Sequence, residues 1–319
     1  MSSELKRRKI DAGPTTHAEA EASRVDESEV ILRKTAHENT VDEDSRRDFT
    51  CGHRFGNFSN YYNFHSCDER LGELPLDMFE VVVGDGKRDG ACRYLLDVGC
   101  NEGNLSIGLL QYLRKLMPHV TWYMLGVDLD PTLIDRARSK YADVEHARFE
   151  CLNVTESSFE TFRASYFENN NIKTFDVVCC FSTTMWVHLN HGDAGLQRFL
   201  EKLCLSCSSL LIIEPQKWKS YKTAVERCRR RSMAKFCHFS SLMWRGAELD
   251  DRIVEHIQNT SPFELCKKSA CDGEVVAGDL LYWGRCMLIF RHKAPVEEGG
   301  CDTSAERVSG GHGGKGEGV

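Results

Sequence analysis

Residues 93–117 read RYLLDVGCNEGNLSIGLLQYLRKLM. The first seven form a near-continuous apolar run of strand length, and from Asn104 onward leucine and isoleucine recur at three- and four-residue spacing, the period of a helix. Between the two lies the turn Asp97-Val98-Gly99-Cys100-Asn101-Glu102-Gly103. Glycines at 99 and 103 allow a tight turn and a close approach of backbone to a ligand. Open α/β sheets bind ligands outside the carboxyl ends of their strands, beside the first such turn. The spacing is not G-x-G-x-x-G, because 101 is Asn, and Asp97 stands at the strand end. A carboxylate there repels a pyrophosphate and suits a cationic or hydroxyl-bearing ligand.

Outward from this unit the alternation continues. WYMLGVD (122–128), HARFECLNV (146–154), FDVVCCFS (175–182) and SLLIIEP (209–215) are apolar runs of the kind covered on both faces. Segments of helical period separate them: PTLIDRARSKYA, with Pro131 at a helix N1 position, SSFETFRASYFEN, and GDAGLQRFLEKLCLS, capped by Gly192-Asp193. A helix at 246–258 precedes the strand PFELCKKS (262–269), and a last strand, GRCMLIFRHK (284–293), follows a loop and enters antiparallel. The pattern predicts an α/β fold with a mostly parallel seven-stranded sheet and helices on both faces. Asp128, at the end of the second strand, is placed to accept hydrogen bonds from ribose hydroxyls.

The 319 residues are 41% hydrophobic and 28% charged, which excludes a disordered chain, a collagen-like repeat and a disulfide miniprotein. No run approaches 18 apolar residues, and MSSELKRRKI is charged where an export signal is apolar, so neither membrane nor secretion is expected. Fifteen cysteines, mostly inside apolar segments, fit buried thiols in a reducing compartment. A cytoplasmic location follows, with nuclear entry left open by Lys6-Arg7-Arg8-Lys9. The pair Cys204 and Cys207 has no second CxxC and is read as core packing. Residues 1–50 and 294–319 read as disordered tails around one domain, 51–293. No metal is expected, and the domain is expected to be monomeric.

The formal charge of −7 argues against a nucleic-acid partner only as an average. Residues 216–245 carry nine Lys or Arg and a single acid, Glu226. Trp218, Tyr221, Phe236, Phe239 and Trp244 are interleaved, either to stack on bases or to pack beneath the basic side chains. Because this segment follows the strand ending Glu214-Pro215, it rises from the sheet's carboxyl edge. A second cluster at that edge is Met185-Trp186-Val187-His188-Leu189-Asn190-His191-Gly192-Asp193; its two histidines lack a third ligand at any recognised metal spacing.

Asp97, the glycine pair, Asp128 and a third strand ending in Asn153-Val154 together resemble the S-adenosylmethionine site of class I (Rossmann-like) methyltransferases. FGNFSNYYNFH (55–65), DERLGELP (68–75), LLDVGCNEGNLS (95–106), LGVDLDP (125–131), TMWVHLNHGD (184–193) and LIIEPQKWKSY (211–221) resemble the Bicoid-interacting family of RNA 5′-phosphate methyltransferases. The resemblance spans 55–291. The FGNF opening, His191 and the short 232–245 connection are similar to the branch that methylates a 5′-monophosphate, acting on microRNA precursors or transfer RNA, rather than the branch that caps a γ-phosphate. The resemblance implies S-adenosyl-L-methionine as cofactor. It assigns Arg70 to the methionine carboxylate, Asn101 to the glycine-turn contact, Asp128 to the ribose, Asn153 and Val154 to the adenine side and Phe181 to the fourth strand end. Asn153 departs from the branch's usual Asp and keeps an amide without the charge.

A phosphate monoester, with a second pKa of about 6, already carries anionic oxygens at neutral pH, so no general base is sought. Lys217, Lys219 and Tyr221, with Asn57 and Tyr61 or Tyr62, are the candidate phosphate-holding groups, and His188 and His191 extend the set. The alternatives left open are a γ-phosphate capping methyltransferase, a methyltransferase of a small molecule or protein, and an RNA-binding scaffold of this fold without turnover.

Overall fold

The computed structural model describes residues 54–58, 67–72, 74, 76–79, 82, 91–268 and 286–293. Both assigned tails, and Tyr61 and Tyr62, lie outside the described residues. Helix α1 (Cys67–Gly72) comes first, then β1 (Ala91–Val98), α2 (Asn104–Leu116), β2 (Val120–Asp128), α3 (Pro131–Lys140), β3 (Ala147–Cys151), α4 (Ser157–Asn169) and β4 (Phe175–Phe181). They are followed by α5 (Thr184–Ser206), β5 (Cys207–Glu214), α6 (Trp218–Arg230), α7 (Leu249–Thr260), β6 (Phe263–Lys268) and β7 (Leu288–His292).

The strands form one sheet in the order β3-β2-β1-β4-β5-β7-β6. Neighbours from β3 through β5 run parallel, and β7 lies antiparallel to both β5 and β6, as a strand entering from a loop should. Because β1 pairs with β2 on one side and β4 on the other, the order reverses at β1, and its carboxyl end opens at the switch point.

Successive strand residues feed opposite faces. Leu96, Cys180, Leu211 and Ile213 belong to the core beneath α4 to α7, whereas Leu95, Cys179, Leu210 and Ile212 belong to the core beneath α1 to α3. All eight are buried. Truncating one of these leucines to alanine costs about 2–5 kcal/mol, since neighbours relax only partly into the gap. The Cys204/Cys207 pair is buried as free thiols, which agrees with packing. Among the described residues no helix is long and apolar enough to cross a membrane.

Two boundaries differ from expectation. Strand β3 stops at Cys151 because the Asn153 carboxamide oxygen accepts from the Thr155 N–H and hydroxyl, starting the turn into α4. Helix α5 begins at Thr184, eight residues before the expected Gly192. Met185, Trp186, Val187 and Leu189 bury a full turn and more, and Gly192 (φ 69°, ψ −174°) kinks the helix within its run.

Candidate active site

The carboxyl ends of β1, β2 and β4 border a cavity of about 680 Å³. This lies within the usual 300–1,000 Å³ of small-ligand sites. The glycine turn forms its floor. Gly99 and Cys100 donate backbone N–H bonds to Val127 O at 2.8 and 3.0 Å, tying the turn to β2. Gly99 has φ 79°, and a Cβ there would lie 2.1 Å from Thr183 Oγ1, so no other residue fits. Gly103, also at φ 79°, opens α2 and faces the Phe149 ring; it shapes the turn but does not line the cavity.

Asp128 Oδ2 accepts the Asn101 N–H at 2.9 Å, and its Oδ1 accepts the Asp130 N–H at 3.0 Å. With the Leu129 N–H also bonding it, the carboxylate still has acceptor capacity for a ligand hydroxyl. Burial raises the Asp128 carboxyl to about 6 despite those amide bonds. Asp97 is also pushed up to about 6 by burial, with the Ser106 hydroxyl donating to its Oδ2 at 2.5 Å. It sits behind the turn, outside the lining. The expected direct ligand contact of Asp97 is therefore corrected to a support for α2.

Arg70, buried from α1, reaches the cavity beside Ser182, donating to its Oγ at 3.2 Å and pairing with Glu214 at 3.3 Å. Asn101, Asn153, Val154 and Phe181 line the cavity as the resemblance implied, joined by the apolar Leu129 and Leu152. A buried carboxylate, a guanidinium and an apolar slot around a glycine cradle suit the ribose, the amino-acid carboxylate and the purine of S-adenosylmethionine. The residues present fit that group.

The opposite end of the same cavity is bordered by Trp186, Asn190 and His191 of α5 and by Lys219, Thr223 and Arg227 of α6. The strap 54–58 crosses beside it. Asn57 donates to Asp130 Oδ2 at 2.6 Å, Asn101 Nδ2 donates to Phe58 O at 3.2 Å, and Asn190 Nδ2 donates to Arg54 O at 2.9 Å. Arg227 lies 5.1 Å over the Phe58 ring. Asn57, Lys219 and His191 are thus at the cavity.

Lys217, His188 and Tyr221 are not. Lys217 is exposed at the entry of α6 and outside the lining. Tyr221 is 1% exposed and His188 fully buried, because the apolar face of α6 carries Tyr221, Ala224 and Cys228 into the core. The Tyr221 hydroxyl lies 3.1 Å from His188 Nδ1, and His188 Nε2 lies 3.0 Å from Asp193 Oδ1. Asp193 accepts only, so it takes an Nε2–H, and Nδ1 accepts the Tyr221 hydroxyl. Burial pushes the His188 pKa down, keeping the ring neutral. This hydrogen-bonded chain joins α5 to α6 and lies outside the cavity lining. Sequence reading missed Gln216, Trp186 and Arg227. Gln216 is buried, donates to Ser182 O and accepts the Met185 N–H at 3.0 Å, pinning the end of β4 to α5. Gln216 and Trp186 lie within motifs already quoted, and Arg227 repeats at i+4 and i+8 from Thr223 and Lys219, a spacing that could have found it.

A Methyltransferase domain profile matches residues 96–205, and the profile of Bicoid-interacting protein 3 matches 175–292. A Homo sapiens protein named RNA 5′-monophosphate methyltransferase is 33% identical over 268 residues, covering 82% of this chain and 88% of its own. The chain belongs to the Bicoid-interacting family. A second family relative, from Danio rerio and named Pre-miRNA 5′-monophosphate methyltransferase, is 34% identical over 75% of this chain and 92% of its own. A Drosophila melanogaster protein named U6 snRNA methylphosphate capping enzyme Amus is 28% identical over 53% of this chain and 55% of its own. Among solved structures, N-methyltransferase NodS from Bradyrhizobium japonicum with S-adenosyl-L-homocysteine matches at TM-score 0.45 and 13% identity, over 78% of this chain and 98% of that one. This member of the Bicoid-interacting family has the sheet order and parallel core expected of a methyltransferase domain.

Proposed function

We propose that this protein methylates the 5′-monophosphate of small RNA, using S-adenosylmethionine. One observation carries the reading: a single cavity joins the Asp128 and Asn101 end to the Lys219 and Arg227 end. A donor and an anionic acceptor held there share one cavity. The relatives' names, RNA 5′-monophosphate methyltransferase and Pre-miRNA 5′-monophosphate methyltransferase, support the same acceptor.

When bound, the cofactor supplies an electrophilic methyl group on a sulfonium. The chain's contribution is orientation, which can be worth roughly 7–11 kcal/mol for well-placed partners. Arg70 and Asp128 fix the donor's two ends, and Lys219, Arg227 and His191 hold the phosphate. The terminal phosphate is largely dianionic above about pH 6 and needs no base. The His188–Asp193 pair is accordingly spent on packing. We place the protein in a reducing, cytoplasmic setting, where its fifteen cysteines remain thiols.

The test is transfer of labelled methyl to one small RNA prepared with a 5′-monophosphate, a 5′-triphosphate or a 5′-hydroxyl, as a microRNA-precursor hairpin and as a transfer RNA. Label confined to the monophosphate form is the expected result. Equal labelling of the hydroxyl form removes the terminal phosphate as acceptor, and no labelling of any form leaves a binding protein.

A further inference from the structure

The outward face of α6 carries a strip of cations that starts at the cavity and continues past it. Lys219, Lys222, Thr223, Arg227, Arg230 and Arg231 border a second, shallow depression that shares Lys219, Thr223 and Arg227 with the first. From Lys219 to Arg230 the helix rises about 16 Å. Its single acid, Glu226, is already engaged: Arg229 and Arg230 both donate to it, at 2.8 and 3.0 Å. Lys219, Lys222, Arg227 and Arg231 have no carboxylate within ion-pair distance among the described residues.

Helix stability does not account for this strip. Cations in the last turn complement the helix dipole, which explains Arg229 and Arg230, but Lys219 stands in the first turn, where the dipole disfavours it, and Lys222 lies beyond the reach of either end. Nor does the strip offer bases a stacking platform. Trp218 stacks on Phe239 and packs against Tyr221, while Phe236 is buried beside Trp186. The interleaved aromatics of 216–245 are engaged with one another or with α5 and α7: Trp244, for one, packs on His256.

We infer that this face binds the backbone of the RNA strand leading away from the 5′ end, through its internal phosphates and without reading sequence. The inference rests on the proposed function for its direction, since the strip begins at the acceptor end of the cavity. Stacked strands carry a phosphate every ~3.4 Å, so the strip spans about five successive phosphates.

The experiment compares the wild-type chain with the triple variant Lys222→Ala/Arg230→Ala/Arg231→Ala, three exposed positions away from the cavity lining. Binding of a single-stranded 20-mer, 5′-phosphorylated or 5′-hydroxyl, is followed by fluorescence anisotropy across salt. Removing three phosphate contacts should lower the slope of log K against log salt by about 2 for either 20-mer. Methyl transfer should show KM for the phosphorylated 20-mer raised at least tenfold and KM for a phosphorylated dinucleotide changed less than twofold. An unchanged slope overturns the inference, as does an equal KM rise for both lengths or a tenfold dependence on sequence. If the wild-type chain methylates neither RNA but the slope still falls, the proposed reaction fails and the binding strip stands.

Discussion

Asp128 and Asn101 lock the glycine turn to the neighbouring strand, the carboxylate on β2 accepting the N–H of a residue in left-handed backbone (φ 54°) at 2.9 Å. The same carboxylate faces the cavity, so one side chain shapes the site and addresses its ligand. Replacing it with alanine removes a charged hydrogen bond worth about 1.5–3 kcal/mol. Asp128→Ala should weaken S-adenosylhomocysteine binding by about 10- to 100-fold in calorimetry, with the chain still folded by circular dichroism.

A pH signature accompanies that carboxyl. Burial lifts it to about 6 in the folded chain, against an unfolded value near 3.8. Between those values the folded state holds the proton that the unfolded state has lost, so stability falls as pH rises through the window. Asp128→Asn cannot ionise, and its stability relative to wild type should therefore rise by about 1 kcal/mol from pH 5 to pH 7 in denaturant titrations. A flat difference would place the Asp128 carboxyl at an ordinary value.

Gly99 tests the cradle. An alanine there takes a positive φ that costs roughly 1–2 kcal/mol and pushes its methyl against Thr183. Gly99→Ala should abolish cofactor binding in calorimetry, while Thr183→Ser, which keeps the hydroxyl, should leave it within about threefold.

Tyr221 separates packing from chemistry. Its hydroxyl serves His188, so Tyr221→Phe should lower stability by about 1–3 kcal/mol and leave kcat/KM for 5′-phosphorylated RNA unchanged. A tenfold fall in kcat/KM with normal stability would return Tyr221 to the acceptor site.

Lys219 carries the opposite expectation. It is exposed, lines the cavity and has no carboxylate partner among the described residues, so Lys219→Ala should raise KM for 5′-phosphorylated RNA about tenfold without moving S-adenosylhomocysteine affinity. Steady-state kinetics at fixed ionic strength reads the difference.

The strands were legible because sheets covered on both faces carry near-continuous apolar runs, as in FDVVCCF and SLLIIE, whereas their order in the sheet came only from the structure. The donor end was legible for the same local reason: Gly99, Asn101 and Asp128 lie on strand ends and one turn, where position follows from secondary structure. The acceptor end depends on which way a helix rolls. Tyr221 and Lys219, two residues apart on α6, point to opposite destinations, one into the core and one to the cavity, and only packing against α5 decides between them. His188 was drawn to the site by its type and placed in the core by Asp193 and Tyr221. Asp97 was assigned to ligand contact because strand-end acids commonly face the cavity; here its partner is Ser106.

The strap 54–58 sets where the working unit begins. Arg54 to Phe58 precede β1 by more than thirty residues, yet hydrogen bonds tie them to Asp130 and Asn101 on the donor side and to Asn190 on the acceptor side. A shortened chain starting just ahead of the sheet would keep every strand and every helix from α2 onward and lose the seam between the two halves. The stretch ahead of the sheet therefore belongs both to the site, through Asn57 and Phe58, and to the core, through Leu71, Leu74 and Phe79.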